Sequence, residues 1–197
     1  MKIVELPSDP RLVEQLALEQ NPSRSQGPHV SNVIRWIDNH AIHQGQRKDY
    51  NELTDAERVR MGAYTTGGWL WEEIVRKALV PVLGGQLHHV GEIGLDGITG
   101  TPDGLWVNGQ EWLEEYKATW RSSRRPLETD FRTWLWQIKS YCHMLRVSRA
   151  RLRAMFVNGD YRDSGPQIKQ WEMEFTQREL EENWLMIVNN SRAMEKE

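Results

Sequence analysis

Between residues 100 and 120 the chain reads GTPDGLWVNGQEWLEEYKATW, and three residues in it, Asp103, Glu115 and Lys117, have the types and spacing that handle charged-oxygen chemistry. Residues 111–120 read as a β-strand. Side chains of a strand alternate between its faces, so Leu113, Glu115, Lys117 and Thr119 share one surface, and Trp112, Glu114, Tyr116, Ala118 and Trp120 the other. Asp103 follows Pro102 in a glycine-rich, β-prone stretch, which suits a bend or bulge at a strand end. Asn108-Gly109 favours a tight hairpin turn, and a turn over residues 107–110 folds Asp103 back beside Glu115. Two carboxylates and an ammonium then converge. Carboxylate oxygens suit a hard cation such as Mg²⁺, which keeps several waters and is commonly held by one or two carboxylates plus substrate phosphate. An ammonium beside that cation can orient a water or offset charge growing on a phosphate oxygen. The competing reading is an ordinary amphipathic hairpin whose Glu and Lys form a solvated cross-strand pair.

The elements that must position these residues follow from periodicity and punctuation. Residues 31–39 (SNVIRWIDN) place Val33, Ile34 and Ile37 at helical spacing behind Ser31 as a cap, predicting a short first helix. Thr54 and Glu57 form a capping box that opens a second short helix; Gly67-Gly68 then leads into a main helix over 69–79, closed by Pro81. Its expected apolar stripe is Leu70, Ile74, Val75 and Leu79, and Glu72 and Glu73 sit in its first turn, where the helix dipole favours carboxylates. Residues 86–94 and 97–107 supply strands before the central one. His88 and His89 point to opposite strand faces, and His40 and His43 read as exposed loop histidines. Residues 121–126 (RSSRRP) form a basic loop directly after the central strand, either simply solvated or, beside a phosphodiester site, a clamp on the backbone through Arg121, Arg124 and Arg125. Residues 128–145 are the strongest helix, with Gln137 and Tyr141 four apart on one face. Strands over 149–158 and 168–175 follow, and Thr176 with Glu179 caps a closing helix to about Met194. Helices, three strands, helix, two strands, helix give an α/β (α+β) fold, a mixed central sheet flanked by helices.

At 197 residues the chain suits a single domain, with residues 1–28 as an N-terminal arm and residues 1–50 free of any motif that can be placed. Hydrophobic content of 39% and charged content of 27% fit a globular protein, no apolar run reaches membrane-spanning length, and MKIVELPSDPRL lacks the apolar core of a secretory signal. The expected location is the cytoplasm, and no membrane partner is expected. One cysteine, Cys142, excludes an internal disulfide and a thiolate cluster made by this chain alone. The net charge of −3 argues against a generally basic nucleic-acid binder, yet an acidic metal site depresses net charge while local basic patches still meet phosphates. Most of the ten tryptophans are expected in the core, with some available to stack on bases.

Pro102-Asp103, eleven intervening residues, then Glu115-Tyr116-Lys117 resembles the signature of the PD-(D/E)XK nuclease superfamily. Gln137-Ile-Lys-Ser-Tyr141 on the following helix resembles the QxxxY motif of its RecB-like and phage-exonuclease branch, and Glu72 stands where that branch places a helical acidic residue. The resemblance spans residues 72–141, and the closing strand and helix agree with it. It implies a restriction-endonuclease-like core and a Mg²⁺- or Mn²⁺-dependent deoxyribonuclease of phage or prokaryotic DNA recombination, repair or processing. Asp103 and Glu115 would hold the metal with Glu72 and the Tyr116 carbonyl, and Lys117 would orient the attacking water. Gln137 and Tyr141 would sit at the rim, positioning their helix or contacting the DNA backbone, and Ser31, Arg121, Arg124 and Arg125 would contact DNA, double- or single-stranded. Glu73 is the alternative to Glu72. A homo-oligomer, ring-shaped around DNA in an exonuclease, is compatible with this reading. The sequence departs from the pattern twice: one cysteine does not supply the four that hold an iron–sulfur cluster in many such nucleases, and Trp71 stands near the place where some members carry a histidine. A non-catalytic DNA-binding or assembly protein retaining the fold is the second expectation.

Overall fold

The computed structural model describes residues 27–43, 53–82, 86–162 and 165–196. The expected N-terminal arm therefore lies almost wholly outside the described residues. Among the described residues two helices lead, α1 (Val30–His43) and α2 (Asp55–Val82), followed by β1 (Leu87–His88), β2 (Ile93–Leu95), β3 (Ile98–Gly100), β4 (Gly104–Val107) and the long central β5 (Glu111–Thr119). A single turn, α3 (Leu127–Asp130), precedes α4 (Arg132–Leu145); β6 (Arg149–Phe156), β7 (Gln167–Glu174) and α5 (Gln177–Met194) complete the fold. Five strands form one mixed sheet in the order β1-β4-β5-β6-β7, and β2 and β3 make a separate hairpin. Within this five-stranded sheet of the described residues the β5–β6 pair is parallel and the others antiparallel, and parallel neighbours need the helical crossover that joins these two.

Register sets the two faces. Leu113, Glu115, Lys117 and Thr119 pair with Ala150, Leu152, Ala154 and Phe156, so these side chains share the face against which α1, α4 and α5 close. There Leu113, Ile138, Leu152, Phe156 and Ile187 are buried to 1% exposure or less, each worth roughly 1.5–3 kcal/mol of apolar transfer. Cys142 packs among them as a small hydrophobe. On the other face Glu114, Tyr116 and Ala118 pair with Arg151, Arg153 and Met155. Helix α2 runs along β5, with Tyr64 and Gly67 against Trp120.

Several local expectations are corrected. The two short helices predicted around Gly67-Gly68 are one helix of 28 residues. Its Thr54–Glu57 box forms, with Thr54 N–H donating to Glu57 Oε2 at 2.7 Å. Gly67 does not break it; a Cβ there would lie 2.8 Å from the Trp120 ring, so the glycine is a notch that lets helix and strand approach. The expected apolar stripe is mostly outward: Val75 is buried, while Leu70 and Ile74 are 48% and 59% exposed. Pro81 falls in the last turn, before the helix ends at Val82. The helix expected over residues 128–145 is interrupted at Phe131, whose backbone (φ −125°, ψ 27°) separates α3 from α4. Ser31 lies inside the first turn of α1, because Asn32 and Val33 N–H bond to the His29 carbonyl. Among the described residues no helix is long and apolar enough to cross a membrane.

Candidate active site

The hairpin brings the acidic residues together. Asn108 N–H bonds to the Gln110 carbonyl, Gly109 takes the positive φ of 69° that the turn needs, and Gly104 pairs with Glu114. The next residue outward on β4, Asp103, then reaches β5 beyond the end of the ladder, where its Oδ2 accepts the Tyr116 N–H at 2.6 Å. A strand residue sends its N–H and C=O to the same side, so the Tyr116 carbonyl also leaves toward Asp103.

On the shared face of β5 Lys117 Nζ donates to Glu115 Oε1 at 2.6 Å and to Gln137 Oε1 at 3.0 Å. Gln137 Nε2 in turn donates to the Tyr141 hydroxyl at 2.9 Å. One chain of hydrogen bonds thus runs from a buried tyrosine through α4 to the lysine and the carboxylate. Glu115 Oε2 is buried with no hydrogen bond of good geometry; the Asp103 amide lies near enough to stabilise its charge but does not meet it as a well-formed bond. A buried oxygen left in that state costs free energy unless something else satisfies it.

Burial, and then the charge of Glu115, hold the Asp103 carboxyl well above the usual carboxylate range. Burial likewise raises Glu115 against the lowering effect of Lys117. Glu72, reaching the cluster from α2, is raised by burial and then by Glu115. Burial works to lower Lys117, but the charges of Glu115 and Asp103 outweigh it and keep the ammonium firmly protonated. Glu73 instead turns to Arg76 and Lys77 at 2.6 and 3.0 Å. The two helical glutamates are therefore separated by geometry, and Glu72 is the one that senses the site. Among the described residues no three His, Cys, Asp or Glu side chains form a ready-made metal cage; Lys117 is the cation that Glu115 holds here.

Tyr141 is not at the rim. It is 1% exposed, and its ring lies where a Cβ on Gly100 would come within 2.6 Å, so glycine at that position makes room for it. Gln137 does reach the surface, in the wall of a cavity of about 510 Å³ shared with Ser31, Arg35, Thr119, Arg121 and Trp134. The spacing Ser31–Arg35, one helical turn, was the signal for Arg35 in this wall. Arg124 and Arg125 line no cavity described; they pair with Asp160 and Asp130 at 3.0 and 2.7 Å. Arg121 donates to the Asp130 carbonyl at 2.8 Å.

No protein-family model and no curated protein matches this sequence. Solved structures do. The crystal structure of SSO0001 superposes with a TM-score of 0.54 at 13% identity, over 92% of this chain and 82% of that one. The alkaline exonuclease LHK-Exo from Laribacter hongkongensis gives 0.52 at 13%, over 86% and 88%, and its complex with dAMP gives 0.51. A phage related exonuclease from Haemophilus somnus 129PT gives 0.51 at 15%, over 91% and 90%. The chain shares its fold with exonucleases. At such identities the likeness extends to the backbone arrangement, and the chemistry rests on the residues.

Proposed function

We propose that this protein is a Mg²⁺- or Mn²⁺-dependent deoxyribonuclease that hydrolyses phosphodiester bonds as an exonuclease in phage or prokaryotic DNA recombination, repair or processing. The observation that carries the reading is the convergence of Asp103, Glu115 and Lys117 with Glu115 Oε2 left unpartnered in the interior. The exonuclease folds of the structural neighbours support it.

The residues present fit a hard divalent cation. Glu115 Oε2 is an oxygen donor in want of a partner, the Asp103 carboxyl is raised by burial and then by the charge of Glu115, which a cation would offset, and the Tyr116 carbonyl and Glu72 add further oxygens. Such a cation, when bound, supplies charge stabilisation at the phosphoryl group and acidifies water.

The chain's own residues do the rest. Lys117 keeps its proton at neutral pH, so it acts as a donor that orients water or neutralises a phosphate oxygen, and not as a general base. Gln137 fixes the direction of that ammonium, and Tyr141, buried one turn further along α4, fixes Gln137. Arg35, Arg121 and Ser31 line the adjoining cavity as partners for a DNA backbone.

The test is cleavage of linear and circular DNA with Mg²⁺, Mn²⁺ or EDTA, for the wild type and Lys117→Ala. Metal-dependent loss of linear DNA only, absent in the variant, is expected. Wild-type protein that binds DNA and never cuts it with either metal would establish the non-catalytic alternative instead.

A further inference from the structure

Beside the polar cavity lies a second, of about 470 Å³, lined by Tyr64, Ala118, Thr119, Trp120, Arg121 and Tyr161. Its volume falls within the roughly 300–1,000 Å³ usual for small-ligand sites. The two cavities share Ala118, Thr119 and Arg121, so they meet at the end of β5, just past Lys117. One is edged by arginines and polar groups; the other is walled by three aromatic rings.

Those rings are held in place by more than core packing. Tyr64 tilts on Trp120 at 4.5 Å between centroids, and Gly67 lets α2 close on the same indole. Tyr161 is 59% exposed and adopts φ +65°, a left-handed conformation unfavourable for a bulky side chain. It is kept there by a turn to the Asn158 carbonyl and by its own hydroxyl, which donates to the Trp120 carbonyl; Asn158 Nδ2 bonds to that carbonyl too, at 3.1 Å. A solvent-exposed tyrosine, held by its backbone and by its hydroxyl on the Trp120 carbonyl, thus brings its ring to the same cavity as Tyr64 and Trp120 and offers aromatic surface there. Aromatic faces lining a groove that continues from a phosphate-facing surface are how proteins hold unpaired nucleotides without regard to sequence.

We infer that Tyr64, Trp120 and Tyr161 form a stacking subsite for unpaired bases of a DNA strand whose backbone passes Arg121 on its way to Lys117. The inference rests on the nuclease reading and narrows its substrate to DNA with unpaired nucleotides at the site.

The test uses full-length protein in EDTA, with a labelled short oligothymidylate, the same strand made abasic, and a blunt duplex, read by fluorescence anisotropy. The wild type is expected to bind oligothymidylate about tenfold more tightly than the abasic strand. Tyr161→Gly suits the positive φ and removes the ring; Tyr64→Leu keeps an apolar contact on Trp120. Each should remove most of that preference while leaving abasic affinity unchanged, and Tyr161→Phe should retain it. A wild type that binds both strands equally, or variants that keep the preference, would overturn the subsite alone. A protein that binds none of the three nucleic acids would overturn the nuclease reading with it.

Discussion

Glu114 and Glu115 are consecutive on β5 and both are fully buried, yet the two faces of the strand treat their charges differently. Glu114 is enclosed by Arg151 and Arg153 at 3.0 and 2.9 Å, and Arg151 is itself packed over Trp106 and Trp112 and bonded to Glu172 at 2.7 Å. Both of its oxygens are satisfied. Glu115 has one ammonium at one oxygen and no well-formed hydrogen bond at the other, with the carboxyls of Asp103 and Glu72 close by. A buried charge with a full set of partners belongs to the scaffold; one short of partners is held ready for something that arrives later.

Four measurements press on that contrast. The largest effect is expected at Glu114→Ala, which strands two arginines and should cost about 3–5 kcal/mol in urea unfolding, whereas Glu115→Gln should leave the metal-free protein at least as stable. Equal losses at both positions would erase the distinction. Next, Lys117→Ala should lower cleavage on the order of 10²–10³-fold while calorimetry still detects Mg²⁺ or Mn²⁺, bound as tightly or more so because a nearby positive charge is gone. Asp103→Ala and Glu115→Ala should lose cleavage and metal together; a Lys117→Ala protein that cuts normally refutes the assigned role.

The third concerns pH. The folded Asp103 holds its proton more tightly than the unfolded chain does, so its contribution is full below the ordinary carboxylate pKa, about 4, and is lost as pH rises through the higher folded value. Metal-free protein should therefore lose stability as pH rises above the ordinary carboxylate range, and Asp103→Asn should flatten that loss; identical slopes for variant and wild type would show that the carboxyl carries no strain. The smallest effect is expected at Arg124→Ala and Arg125→Ala. Each is already paired with an aspartate, so each should flatten the log–log salt dependence of DNA binding by about one unit at most, and an unchanged slope marks both as structural.

What could be read from sequence was whatever a short-range rule determines. The Asn-Gly turn brought Asp103 to Tyr116 and the period of two put Glu115 and Lys117 on one face, while the Thr54–Glu57 and Thr176–Glu179 boxes formed as spaced. Gln137 and Tyr141 met as residues four apart on a helix do. What could not be read depended on partners distant in the chain. Gly67 looked like a helix break because its companion, Trp120, lies on another element. Tyr141 looked like a rim residue because the room for its ring comes from Gly100. Leu70 and Ile74 fit a helical stripe that α2 does not bury: Val75 is the buried member of that stripe, and Tyr64 and Gly67 are the residues that meet Trp120. The alternation in RARLRAMF, matched by Glu172 and Glu174, did carry a signal for the arginine network behind Glu114.

The mixed pairing of β5 also has a temporal side. Its partner β4 is one tight turn away, but β6 joins only after the whole α3–α4 crossover has been laid down. Hairpins close in roughly 1–10 μs, whereas parallel pairing across a crossover waits on non-local loop closure. The two carboxylates should thus meet early in folding, before α4 delivers Gln137 to restrain the lysine. In pulse-labelled hydrogen exchange the Tyr116 amide, bonded to Asp103, should gain protection ahead of the amides of β6, so that the acidic pair is assembled while the surface that would receive a nucleic acid is still being built.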